Sequence, residues 1–338
     1  MKVKRNDVAK AAGVSGATVS YVLNGTKRVS PEVEKRVLEA AKELNYVPNR
    51  IAQTLVGRRS NSIAIMTNDI TNVYQVEVIK GLQEAALAND YIVYVFDAFG
   101  NIDKYLQHIV SRQVDGLFVV AAPDALPDEK LAELRDSGIK VLADYSRGTF
   151  VPGVSYIMSD LKGGVERAIN YLYRMGHRKI GYLSGFDDAC YYDIRLSAFR
   201  EAMRKLNLDD TAVECRGWPY STISEVGETL MRQLLAHRPE VTAVLCTNDM
   251  MAIGGMYAAK LMEKKIPEEL SVVGIDNIAQ SKTCIPKLTT INQDGRTYGK
   301  HVFEILLKAI RGGEADKYVI PMELVERDSC APPRTEGV

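Results

Sequence analysis

From Ser62 onward, short apolar runs alternate with amphipathic stretches of helical length, and this alternation runs through twice. Residues 63–66, 91–96, 116–120 and 141–143 form the first series. Runs this short and this apolar read as strands covered on both faces, the condition of a parallel sheet flanked by helices. Stretches of helical periodicity at 76–88, 104–112 and 129–137 separate them. The series then restarts. Asp160 is placed to cap a helix whose apolar stripe is Val165, Ala168, Ile169 and Leu172 and whose end is Gly176. Strands follow at 180–183, 243–246 and 272–275. Two successive βα arrays predict an α/β body of two doubly wound lobes. A late strand at 288–291 precedes a helix over 294–311 that can return the chain to the first lobe.

In such lobes ligands bind outside the carboxyl ends of the strands. The polar residues found there are Asp144 after the run 141–143, Asn248 and Asp249 after Cys246, and Asp276 after Ile275. Each alone is explained by helix capping or solvation. Several at corresponding strand ends point to a crevice between the lobes. Arg195 begins a helix, the unfavourable end for a cation, which implies a partner other than the dipole.

The first sixty residues are of another kind. They hold twelve Lys and Arg against five Asp and Glu, so a net of +7 is hidden inside a chain of formal charge zero. Residues 7–25 read as two short helices around a tight turn. Val8, Ala9 and Ala12 face a core, Gly13 can leave the first helix at positive φ, and Ser15 can cap the second. Val19, Val22 and Leu23 recur at helical spacing, leaving the opposite face free. This is the sequence form of a helix-turn-helix, whose second helix enters the major groove of DNA. Ser30-Pro31-Glu32 starts a third helix, and 46–49 ends it at a proline. Residues 49–60 are either a basic solvated linker or a segment that orders only on DNA, being too short for a stable helix alone.

Other classes find little support. No run reaches membrane-spanning length and the opening residues lack a secretory apolar segment, so a cytoplasmic protein is expected. Five scattered cysteines without a Cys-x-x-Cys pair fit free thiols better than disulfides or zinc. The four histidines lack metal spacing, and His177 after Gly176 reads as structural. There is no phosphate-binding glycine loop or nucleophile elbow. Neither catalysis, nor a cofactor, nor a metal is expected.

Taken together, the head motif 7–25, Ser30-Pro31, the segments 46–49, 176–180, 248–254 and 271–276, and the strand 288–291 resemble, in order and over nearly the full length, the lactose-repressor/galactose-repressor family of bacterial transcription regulators. The resemblance implies a small all-α helix-turn-helix headpiece (1–48), a hinge (49–60) and a periplasmic-binding-protein type I-like body (61–338). The first lobe would be 61–158 with 292–320 and the second 159–291 with 321–338. It also implies a homodimer on a palindromic operator, controlled allosterically by a small effector, most readily a carbohydrate. No C-terminal leucine heptad is present, so a dimer is expected rather than a tetramer.

Carried over residue by residue, the resemblance assigns DNA contacts to Ser15, Gly16, Ala17, Thr18, Ser20, Tyr21 and Asn24. In the hinge it assigns them to Asn49, Ala52, Gln53 and Leu55, with Leu55 as the minor-groove wedge. Departures from the family pattern are Lys4 at the usual capping threonine, so that Asn6 is expected to cap, and Gln53-Thr54 in place of the usual Arg-Ser. For the effector it assigns Asp144, Arg195, Asn248 and Asp276, with Tyr74 and Tyr220 as aromatic contacts and Gln293 near a crossover. Trp218 rivals Tyr220. Paired carboxylates and a guanidinium suit the vicinal hydroxyls of a polyol. The alternative, a solute-binding protein of a transport system, shares the body but has no use for the first sixty residues.

Overall fold

A computed structural model of the chain describes residues 3–24, 27–46, 59–67, 69–97, 102–120, 126–144, 150–187, 193–214 and 221–334. The headpiece comprises α1 (Arg5–Ala12), α2 (Gly16–Asn24) and α3 (Pro31–Glu43). Its core is Val8, Ala9, Ala12, Val19, Val37, Ala40 and Ala41. Gly13 leaves α1 at φ +63°, in the left-handed region that glycine enters without strain. Ser15 Oγ accepts from Thr18 N at 3.1 Å, and Ser30 Oγ from Val33 N at 3.4 Å. The expected cap at Asn6 is not formed. Lys4 occupies the cap position, Asn6 lies inside α1, and the Asp7 carboxylate accepts from Lys4 N at 2.7 Å.

In the body, the first lobe begins with β1 (Ser62–Thr67), α4 (Val73–Leu87), β2 (Ile92–Asp97), α5 (Ile102–Ser111) and β3 (Gly116–Val119). It continues with α6 (Asp128–Asp136), β4 (Lys140–Asp144) and β5 (Ser155–Ser159). After Ser159 the chain crosses to the second lobe: α7 (Leu161–Arg174), β6 (Ile180–Ser184), α8 (Ile194–Lys205), β7 (Ala212–Glu214) and α9 (Ser224–His237). There follow β8 (Ala243–Cys246), α10 (Asp249–Leu261), β9 (Ser271–Asp276) and β10 (Thr289–Asn292). The chain then returns as α11 (Gly295–Ile310) and β11 (Lys317–Ile320), and crosses a third time to β12 (Glu323–Val325).

The first sheet has the order β11-β5-β4-β3-β1-β2 and is parallel throughout; the second, β12-β10-β9-β8-β6-β7, is parallel except for β12. Each sheet buries two apolar layers. α5 and α6 cover one face of the first and α4 and α11 the other, while α7 and α8 oppose α9 and α10 across the second. The late helix thus packs on the first lobe, as its position after residue 291 predicts.

Strand β2 departs from expectation. Its run is apolar enough to read as fully buried, yet Ile92 and Val95 are 46% and 39% exposed, because β2 pairs only with β1 and ends the sheet. His177 is structural: Nδ1 lies 2.9 Å from Thr242 Oγ1 and Nε2 lies 3.0 Å from the Ala331 carbonyl, tying the C-terminal segment to the second lobe. Burial pushes its pKa below the ordinary imidazole value.

Candidate effector crevice and DNA-reading headpiece

The carboxyl ends of both sheets face one another, and there the predicted side chains converge. Asp144 ends β4 and Asp276 ends β9. Arg195 lies in the first turn of α8, where Asp193 caps the helix. Asp193 Oδ1 accepts from Arg195 N at 3.0 Å and from Arg195 Nε at 2.9 Å, the partner that its place on the helix calls for. Phe186, just after β6, lies 4.9 Å under the guanidinium. Burial opposes the charge on Arg195, but Asp193, Tyr182 and Asp276 more than offset it, so the group stays protonated.

Asp144 and Asp276 have no such support. Burial raises Asp144 to about 7, and the attraction of Arg195 from the opposite lobe only partly opposes this. Burial, and then repulsion from Asp249, lifts Asp276 well above the ordinary carboxylate range. Asp276 at φ +113° and Asn277 at φ +59° are successive non-glycine residues at positive φ, a strained turn at the mouth of the site.

Tyr74, on the first turn of α4, accepts at its hydroxyl from Gln293 Nε2 at 2.8 Å. Gln293 lies on the second crossover, so this bond joins the two lobes. Burial, then the charges of Asp144 and Asp276, raise the Tyr74 phenol. One hydroxyl thus senses both acids. Asn248 also stands at the crevice but is already committed: its Oδ1 accepts from Met251 N at 2.9 Å and its Nδ2 donates to the Thr222 carbonyl at 3.0 Å. Tyr220 and its rival Trp218 lie outside the described residues.

Sequence reasoning passed over Asp193 and Phe186. Asp193 was legible as a helix cap beside Arg195; Phe186 carries no signal in the sequence beyond following a strand. Asp249, named beside Asn248 at the strand end, is internal structure. It is buried, accepts from Ile278 N at 2.9 Å and from the Thr290 hydroxyl, and burial lifts it to about 7.

In the headpiece, Ser15 and Ala17 are exposed, while Gly16, Thr18, Ser20 and Tyr21 are partly so, on the side of α2 away from Val19. Lys27 sits 5.2 Å over the Tyr21 ring. The side chain of Asn24, and all of Asn49, Ala52, Gln53 and Leu55, lie outside the described residues.

Fold and crevice together define a two-lobed binding protein of periplasmic type that carries a helix-turn-helix headpiece. Residues 6–49 match the model of bacterial regulatory proteins of the lacI family, and residues 169–330 match that of a periplasmic binding protein-like domain. The HTH-type transcriptional repressor PurR of Vibrio vulnificus (strain CMCP6) is 33% identical over 333 residues, covering 96% of this chain and 97% of the relative. PurR of Pectobacterium carotovorum subsp. carotovorum (strain PC1) is 32% identical over 335 residues, with 96% of each covered. The lac repressor dimer bound to operator and the anti-inducer ONPF superposes with a TM-score of 0.85 at 27% identity, over 98% of this chain and 100% of that one. The chain belongs to the lacI family: it is a DNA-binding transcriptional repressor whose body takes an effector.

Proposed function

We propose that the crevice holds a small polyhydroxylated effector, a sugar or sugar derivative, and that its occupancy sets the grip of paired headpieces on a palindromic operator. The observation that carries this is the meeting of Asp144, Arg195 and Asp276 with the Tyr74–Gln293 bond, where charges from both lobes act on one another. Arg195 is the fixed donor, the two carboxyls accept from or donate to hydroxyls, Tyr74 and Tyr220 supply faces for the ring, and Asn248 offers its remaining amide hydrogen. In the head, the exposed side of α2 reads the half-site through Ser15, Gly16, Ala17, Thr18, Ser20, Tyr21 and Asn24. The hinge reads its centre through Asn49, Ala52, Gln53 and Leu55.

A homodimer is supported by apolar side chains left uncovered on both lobes. Ile92 and Val95 lie on the edge strand; Tyr257 and Leu261, one turn apart on α10, are 55% and 51% exposed, and Ile285 is 93% exposed. No helix among the described residues is long and apolar enough to cross a membrane. The protein acts in the cytoplasm and turns over nothing that it binds.

A thermal-shift screen over sugars, sugar phosphates and nucleobases identifies the effector, since a ligand of the native state raises stability by mass action. Leu55→Ala is expected to lose operator affinity while keeping the shift. If the native protein responds to nucleobases and no sugar, the polyol reading fails. Light scattering that returns a tetramer at micromolar concentration overturns the dimer.

A further inference from the structure

At the end of the first lobe opposite the crevice, around the amino ends of β3 and β4, lies a second cavity of about 550 Å³. Its apolar lining is Val110, Val114, Ile139 and Ile310, of which Val114, Ile139 and Ile310 are buried and Val110 is exposed. Its polar groups are unequal. Both oxygens of Asp115 are engaged, accepting from Ser60 N at 2.9 Å and Asn61 N at 2.9 Å, with the Ser60 hydroxyl at 3.2 Å. The Lys140 ammonium, by contrast, is exposed and has no ion-pair or hydrogen-bond partner among the described residues. Arg59 adds a second cation at the rim and donates from Nη2 to the Ile310 carbonyl at 3.1 Å.

We propose that this cavity is a second small-molecule site, for an anion carrying a compact apolar body, and that its occupant acts on the segment leading to the headpiece. The apolar side chains take the body and Lys140 with Arg59 takes the charge, two cations set against the single negative charge of Asp115, whose oxygens are already held by Ser60 and Asn61. The coupling follows from where the cavity lies. Arg59 closes the stretch that joins body to head, and its bond to Ile310 fastens that stretch to the last turn of α11. The other end of α11 starts two residues after Gln293, at the effector crevice. Sixteen residues make a rod of about 24 Å. The rod is pressed against α4 so closely that a Cβ on Gly299 would meet the Val78 carbonyl oxygen at 2.0 Å. An anion that competes for Arg59, or draws Lys140 inward, therefore acts on the far end of the helix whose near end carries the crossover bond.

The test uses full-length protein and phenyl phosphate as probe, with benzyl alcohol as the uncharged control, followed by calorimetry. Phenyl phosphate is expected to bind, and benzyl alcohol to give no heat at the same concentration. Lys140→Glu should weaken binding by about tenfold or more. Val110→Trp, which lays a ring over the cavity from a position 44% exposed, should abolish it. Saturating probe should shift the operator affinity of the native protein and leave that of Val110→Trp unmoved. Binding that survives both substitutions, binding that is lost in Arg195→Ala and so belongs to the crevice, or no heat up to millimolar probe overturns the site. Binding with unchanged operator affinity overturns the coupling. Failure of unliganded protein to bind any operator would instead overturn the repressor reading, and the calorimetric arm stands apart from it.

Discussion

On the second lobe's side of the crevice, Arg195 is clamped by Asp193, Asn248 caps α10 while donating to Thr222, and Asp249 ties β10 to the turn after β9. On the first lobe's side, the Asp144 carboxyl has no hydrogen-bond partner among the described residues, and Tyr74 is held by Gln293, which belongs to the crossover. The second lobe therefore presents a frame that is preformed except at Asp276, and the first presents Asp144, whose partner, like that of Asp276, must come from elsewhere. A ligand that bonds first to Arg195 and then supplies partners to Asp144 rewards closure of one lobe on the other, the differential contact that any population shift requires.

Substitutions can break this contrast. The largest effect is expected from Arg195→Ala, which leaves Asp193 buried without its cation; breaking a buried pair costs about 3–5 kcal/mol. Effector affinity by calorimetry should fall by about a hundredfold or more, and Arg195→Lys should not restore it, because an ammonium lacks the fork. If Arg195→Ala keeps the effector, the second lobe is not the frame.

Asp249→Ala should cost about 3 kcal/mol of stability, since Ile278 N and the Thr290 hydroxyl lose a buried acceptor. Chemical denaturation measures it, and a loss no larger than that of a surface substitution would refute the structural role.

Asp144→Asn should go the other way. With its native pKa raised to about 7, Asp144 favours the folded state while protonated, and that contribution is lost as pH rises from about 4 through about 7. The variant should therefore melt higher than the native protein at pH 8 and show a flatter melting profile between pH 5 and 8, by on the order of 1–2 kcal/mol. Identical profiles would mean that Asp144 ionises as an ordinary carboxylate.

The smallest effect concerns the bond joining the lobes. Tyr74→Phe and Gln293→Ala should each change effector affinity by about 1 kcal/mol, and the double variant by no more than either alone. Additivity in that cycle would show that the crossover bond is not part of closure.

Much of this was legible from the residues. Apolar runs between amphipathic stretches specify strands and helices locally, and capping residues such as Ser15, Ser30 and Asp160 mark helix starts by bonds that reach only three residues. The strand-end positions of Asp144 and Asp276, and the anomalous cation at the start of α8, could be read because strand ends and helix polarity are local facts. The short edge strands β7, β11 and β12 were not read, since a strand of three or four half-exposed residues is defined by its neighbour and not by its own pattern. For the same reason β2 looked internal: burial depends on what lies alongside, which no run of side chains encodes.

The sequence alone determined the charged head, the two βα arrays and the residue types at the strand ends, because propensity, capping and periodicity act over a few residues. Only the tertiary structure decided that Arg195 is clamped while Asp144 is not, that Asn248 is already engaged, and that α11 spans from the crossover to Arg59. The clamp on Arg195 is local, since Asp193 is two residues away. But Asn248 meets Thr222, Tyr74 meets Gln293 and Arg59 meets Ile310 across 26, 219 and 251 residues, and desolvation of Asp144 likewise arises only once the body has packed.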